Sequence, residues 1–143
     1  MSVLGLEHVA IVVADMEAAL QSFKDHLGLV AEPVMDYGEG DLKIAFIAVG
    51  TTQIELIQPL RPGTSSWERL ERLGPGVDHV ALRVDDIDAE VARLSGAPGV
   101  LRDPLPRPGA GDARIAFLNA DALGGALVEL CGHGPGTLEV RRG

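Results

Sequence analysis

The chain has 143 residues and a mass of 15.0 kDa, a length that fits one compact domain or two very small intimate halves and argues against two independent domains. Apolar residues make up 46% and charged residues 23%, so a sizeable core can be buried and wholesale disorder is excluded. With 12 basic against 21 acidic residues, a net charge of −9 and only one Trp, one Tyr and three Phe, the composition speaks against a nucleic-acid binder and, more weakly, against any polyanionic partner.

The first residues carry no basic stretch, and the apolar run that follows is broken by Glu7, His8 and Asp15. Neither a signal peptide nor a membrane span is expected, and the cytoplasm is the expected compartment. Leu6 to Val13 is rich in β-branched residues and reads as a strand. Asp15 supplies an N-capping oxygen to an amphipathic helix from Met16 to His26, closed by Gly28. Three strands follow, at about Val30 to Asp36, Leu42 to Val49 and Thr52 to Gln58. Arg61 to Gly76, bounded by Pro62, Gly63, Gly74, Pro75 and Gly76 and helical around Trp67 to Leu73, reads as a linker.

The order then repeats. A strand from Val77 to Val84 leads through Asp85-Asp86 into a helix from Ile87 to Leu94, followed by strands at Val100 to Pro104, Arg114 to Asn119 and Ala126 to Cys131. Cys131 has no second cysteine to pair with and reads as a buried, inert thiol. Residues 132–143 are polar, Gly-rich and expected to fray.

This repetition reaches the residues themselves. His8-Val-Ala-Ile-Val-Val-Ala-Asp15 lies over His79-Val-Ala-Leu-Arg-Val-Asp-Asp86 at an offset of 71, and Ile44-Ala-Phe46 lies over Ile115-Ala-Phe117 at the same offset. Two separated matches at one offset indicate a duplicated βαβββ module. After three extra residues, Ile54-Glu55-Leu56 falls over Val128-Glu129-Leu130. Each half thus starts with a His and ends with a Glu flanked by apolar residues. Taken singly, such residues belong to a solvated strand face. Taken as a symmetric set they form two imidazoles and two carboxylates, a donor set suited to a divalent ion such as Co²⁺, Mn²⁺, Ni²⁺, Zn²⁺ or Mg²⁺, with water or substrate oxygens completing an octahedron.

His8-Val-Ala-Ile-Val-Val, Ile54-Glu-Leu-Ile-Gln-Pro59, Val77-Asp-His-Val-Ala-Leu-Arg-Val-Asp-Asp86, Pro106-Arg-Pro-Gly-Ala-Gly111, Arg114-Ile-Ala-Phe117 and Gly124-Gly-Ala-Leu-Val-Glu-Leu-Cys131 resemble the vicinal oxygen chelate superfamily and, within it, the methylmalonyl-CoA epimerases. The likeness runs from about residue 5 to 131. It implies a single α+β domain over 1–143, in which two paired βαβββ modules (about 4–60 and 77–132, with a linker at 61–76 and a tail at 133–143) form a cupped, mostly antiparallel sheet around a metal site. It also implies His8, Glu55, His79 and Glu129 as ligands of one divalent metal ion, an acyl-CoA substrate and a homodimer.

The reaction implied is proton abstraction alpha to a carbonyl, with the metal stabilising the enolate. Inversion requires a second group to return the proton on the opposite face. The family uses two glutamates, which fall at Glu129 and at Glu39, the latter through the match of Glu39-Gly-Asp-Leu-Lys-Ile-Ala-Phe46 to a Glu-Gln-Gly pattern before a strand. By composition alone, residues 36–41 are an ordinary turn with solvated acids. Gly40 and Asp41 depart from the pattern, and Asp78 and Asn119 stand where the family often carries His.

Other candidates are weaker. Gly109 to Gly111 and the Gly-rich stretch at 132–136 lack the strand-turn-helix setting of nucleotide loops. Arg102, Arg107 and Arg114 are read as solvated charges, with the phosphates of a CoA ester as the alternative partner, and His26 and His133 as surface residues. Ser65 and Ser66 lack the glycines of a nucleophile elbow. The alternatives to an epimerase are a glyoxalase-type lyase or isomerase on another small carbonyl compound, and a metal-free small-molecule (antibiotic) binding module. Four intact ligand-type residues weigh against the latter. A dioxygenase, which presents two His and one Glu to iron, is disfavoured by the extra carboxylate of Glu55.

Overall fold

The computed structural model describes residues 3–133. It is of the α+β class, with β1 (Val3–Val12), α1 (Met16–Leu27), β2 (Met35–Tyr37), β3 (Leu42–Val49), β4 (Thr52–Pro59), α2 (Ser65–Leu73), β5 (Gly76–Val84), α3 (Ile87–Leu94), β6 (Arg107–Pro108), β7 (Arg114–Phe117) and β8 (Val128–Gly132). Two compact units divide the chain: His8–Asp78, and Met1–Glu7 with His79–Gly143. The expected linker folds as α2 and stays with the first of these.

In the unit His8–Asp78 the strands run in the order β2-β3-β4-β1, antiparallel except for the parallel pair β1 and β4. The order β5-β8-β7-β6, again with one parallel pair between β5 and β8, repeats this in the other unit. The helix caps repeat as well: Asp15 Oδ1 accepts from the Ala18 amide at 3.1 Å and Asp86 Oδ1 from the Ala89 amide at 3.0 Å. Each cap satisfies an otherwise orphaned donor and stabilises its helix by about 1 kcal/mol. Gly28, left-handed at φ 68°, ends α1: its amide donates to the Lys24 carbonyl and the Leu29 amide to the Phe23 carbonyl, in a conformation that costs a glycine nothing.

Strand alternation gives each four-stranded layer one face for its helix. Met16, Leu20 and Phe23 of α1 pack on Ala45, Ile47 and Leu56. Ile87 and Val91 of α3 pack on Val84, Ala116 and Leu130. The residues in between, Phe46 and Glu55 in one unit and Phe117 and Glu129 in the other, are thereby turned to the opposite face.

Two expected strands differ. Val30 to Asp36 is ladder only over Met35–Tyr37, and Val100 to Pro104 forms no strand beyond one bridge from Leu101 to Leu118. Pro33, Pro104 and Pro106 remove the donors a ladder requires. What survives is the same tether in both units: the Phe46 carbonyl accepts from the Glu32 amide at 2.8 Å, and the Phe117 carbonyl from the Arg102 amide at 2.9 Å. The second-unit counterpart of β2 is instead β6, at Arg107–Pro108. Gly132 and His133 also correct the expectation of a frayed tail, since Gly132 is buried in β8 beneath Ile87 and the His133 side chain is enclosed; residues 134–143 lie outside the described ones. No helix among the described residues is long and apolar enough to cross a membrane.

Candidate metal centre

The parallel pairing decides where each Glu stands relative to its His. In β1 and β4, His8 lies beside Gln53 and Ala10 beside Glu55. His8 and Glu55 therefore share a face, one diagonal step apart. In β5 and β8, Ala81 lies beside Glu129, which puts His79 in the same diagonal relation to Glu129. The three-residue insertion noted in the second half falls before β8 and leaves this register intact.

The contacts follow. His8 Nε2 stands 3.5 Å from Glu55 Oε1, and His79 Nε2 3.1 Å from Glu129 Oε2. All four residues are buried, at 4 to 6% exposure. Behind each pair lies a ring that sequence reasoning had not assigned to the site. Phe46, paired with Glu55 across β3 and β4, meets His8 edge-on at 5.9 Å; Phe117, paired with Glu129 across β7 and β8, meets His79 at 4.9 Å. The shared Ile-Ala-Phe motif was the legible signal for both. These T-shaped contacts fix the ring planes, so each imidazole presents Nε2 to its carboxylate.

A divalent ion suits this donor set. Neighbouring ligands on an octahedral ion with bonds of about 2.1 Å lie about 3.0 Å apart, close to the separations within both pairs. Burying a carboxylate without compensation costs several kcal/mol, and a bound cation offsets that cost. Within each unit the structure thus brings together the two predicted ligands, His8 with Glu55 and His79 with Glu129.

Glu39 is placed differently. It is exposed in the turn between β2 and β3, and no described hydrogen bond or ion pair joins its carboxylate to His8 or Glu55. It is the one described non-glycine residue with positive φ, at 56°. Arg61 holds the turn, donating from Nη2 to the Glu39 carbonyl at 3.1 Å and from Nε to Asp41 Oδ1 at 2.5 Å. A bulky residue in the left-handed region costs about 1–2 kcal/mol, the kind of strain retained where geometry serves function.

The positions that depart from the family pattern have local partners. Asp78 faces Arg69 at 3.7 Å. Asn119 donates from Nδ2 to the carbonyls of Gly99 and Leu101 at 2.9 and 3.1 Å, stapling the strand-poor segment that leads to Arg102. Of the three arginines, Arg114 is taken by Asp88 through bonds of 2.6 and 3.0 Å, and this guanidinium holds the Asp88 carboxyl below its ordinary range. Arg102 and Arg107 lie over the Phe117 ring, their guanidinium carbons 5.1 and 5.5 Å from its centroid, with Arg107 also donating from Nε to Asp103 Oδ2 at 3.2 Å. That is a local basic patch beside His79, which the overall acidity concealed. His26 is exposed as expected; His133 is not, with its side chain 2% exposed.

Comparison with known proteins agrees with this geometry. Residues 7–117 match the family model of the Glyoxalase/Bleomycin resistance protein/Dioxygenase superfamily. The chain is 35% identical over 127 residues (87% of its length and 95% of the relative's) to the ethylmalonyl-CoA/methylmalonyl-CoA epimerase of Cereibacter sphaeroides. It is 33% identical over 128 residues (87% and 76%) to the mitochondrial methylmalonyl-CoA epimerase of Dictyostelium discoideum. Among solved structures it is similar to the methylmalonyl-CoA epimerase of Mycobacterium tuberculosis, with a TM-score of 0.86, 34% identity and coverage of 93% of this chain and 90% of the other. The duplicated module, the twin His–Glu pairs and these likenesses agree: the chain belongs to the glyoxalase, bleomycin resistance protein and dioxygenase superfamily, within the family of the methylmalonyl-CoA epimerases.

Proposed function

We propose that the chain is a divalent-metal-dependent epimerase that interconverts the stereoisomers of methylmalonyl-CoA by removing and returning the proton at C2. The observation that carries this reading is the pair of buried His–Glu contacts in one register in both units, in a chain whose relatives are named for that reaction. His8, Glu55, His79 and Glu129 would together hold one ion. When bound, that ion supplies a Lewis acid for the substrate's carbonyl oxygens, which acidifies the hydrogen between them.

The protein's own groups do the rest. Glu129, whose Oε2 stands 3.1 Å from His79 Nε2, is assigned to the proton on one face of C2. Glu39, on its strained turn, is assigned to the opposite face. Phe46 and Phe117 keep the imidazoles aimed and, being apolar, exclude water from the carboxylates. Arg102 and Arg107 are assigned to the phosphates of the CoA moiety, the anionic end that a chain of charge −9 must receive locally. Four buried ligand-type residues weigh against a metal-free binding module, because retaining them without an ion is costly. The cytoplasm and a homodimer complete the proposal, the latter supported by the exposed apolar side chains Val3, Leu4 and Leu6 at the start of β1.

The test is incubation of metal-loaded protein with one methylmalonyl-CoA stereoisomer in D₂O. Inversion accompanied by deuterium at C2 is expected; protein that does neither is not this enzyme. Replacing Arg102 and Arg107 together by Ala is expected to raise KM for the CoA ester by about tenfold or more, from the loss of two charge-assisted contacts, while kcat changes little. An unchanged KM and salt dependence would remove both arginines from the substrate site.

A further inference from the structure

A second group of metal-type side chains lies wholly within the unit that carries His79 and Glu129. Glu7 Oε1 is 2.8 Å from His133 Nε2, and Cys131 Sγ is 3.6 Å from the same nitrogen. The three ligand atoms lie within 4.8 Å of one another. Glu7 and Cys131 are each 2% exposed. Arg83 Nε grips the other oxygen of Glu7 at 2.6 Å, and Asp112 Oδ1 stands 3.5 Å from His133 Nδ1, with its own side chain 57% exposed at the solvent end.

We propose that Glu7, Cys131 and His133 form a second, thiolate-containing metal site that takes Zn²⁺, distinct from the His8, Glu55, His79 and Glu129 set. A sulfur and a nitrogen bound tetrahedrally to zinc at about 2.3 and 2.0–2.1 Å lie about 3.5 Å apart, which the Cys131 to His133 separation already matches. The Glu7 to His133 contact, at hydrogen-bond length, opens by about 0.5 Å to admit the ion. His133 is oriented as zinc-bound imidazoles are, with one ring nitrogen towards the other ligands and the second towards a carboxylate. With the thiol ionised and the imidazole neutral, Glu7, Cys131, Asp112 and Arg83 carry two net negative charges, which a divalent ion balances. The soft thiolate favours zinc over Mg²⁺ or Mn²⁺.

The duplication supplies an internal control. Arg83 and Cys131 correspond to Val12 and Ile57 in the first copy, both buried and apolar. Two positions that are aliphatic core in one copy thus carry a guanidinium and a thiol in the other, so these two members of the cluster are particular to the second copy. The inference stands whether or not the epimerase reading holds.

Co²⁺ titration of the metal-free full-length chain tests it, because only a site with a sulfur ligand gives a thiolate-to-cobalt charge-transfer band in the near ultraviolet. Wild type is expected to develop that band, lose it on adding Zn²⁺, and hold one zinc ion per chain more than Cys131→Ser. Cys131→Ser, with its fold checked by circular dichroism, is expected to lose the band completely. Glu129→Ala is expected to keep the band, which separates this site from the other. Asp112→Asn, a surface change, is expected to weaken zinc at the thiolate site up to about tenfold by removing the negative charge 3.5 Å from His133 Nδ1. Absence of the band in wild type, or equal zinc content in wild type and Cys131→Ser, overturns the proposal.

Discussion

Glu129→Ala is expected to abolish epimerisation and, after dialysis, to retain little of the metal ion that wild type keeps at the His–Glu centre. Two losses combine. Removing a carboxylate ligand leaves three protein donors, and removing a positioned base forfeits about 10²–10⁴ in rate on its own. The companion variant Glu55→Ala separates them. Glu55 occupies the same register in the other unit but is assigned no proton, so Glu55→Ala is expected to regain much of its activity when metal is supplied in excess, whereas Glu129→Ala is not. Metal content after dialysis and deuterium incorporation at C2 are the two measurements. Full activity in Glu129→Ala would refute the assigned centre.

Glu39→Gln is expected to bind metal as wild type does and to invert C2 about 10²–10⁴ times more slowly. The sharper readout is stereochemical. With one base removed, the stereoisomer whose C2 hydrogen faces Glu129 should still exchange with D₂O, without inversion, and the other should not exchange. Inversion at the wild-type rate would take Glu39 out of the mechanism. Strain at the same residue makes a second measurement informative. Glu39 sits at φ 56°, so Glu39→Gly relieves about 1–2 kcal/mol of backbone strain against about 0.5–1 kcal/mol of added chain freedom. The variant is expected to unfold at or slightly above the wild-type temperature while losing activity, a residue kept for chemistry at some expense of stability.

Much of the candidate metal centre was legible because duplication writes it twice. One His or one Glu in an apolar strand is ordinary; the same pair at the same place in two copies is a pattern. Both helix caps were legible for a different reason, since Asp15 and Asp86 act on amides three residues away. Phe46 and Phe117 were visible as a repeated motif but not as ring supports, because that role depends on each facing a Glu across an antiparallel pair. Arg102 and Arg107 looked like scattered surface charge until the chain between them, denied a ladder by its prolines, curled over one ring. His133 was misread as tail, since nothing within a few residues of it foretells Glu7, 126 positions away in sequence.

The α+β class, the two βαβββ copies, their caps and the four ligand-type residues were all readable from the amino-acid order, because alternation and capping are set by neighbours within a few positions and the repeat shows when one half is laid over the other. Tertiary packing alone set the parallel register that brings His8 to Glu55 and His79 to Glu129, which arginines lie over Phe117, and the burial of Glu7, Cys131 and His133 together. Those depend on which distant strands pair and how they are offset, and a slip of a single residue would turn every one of these side chains to the other face.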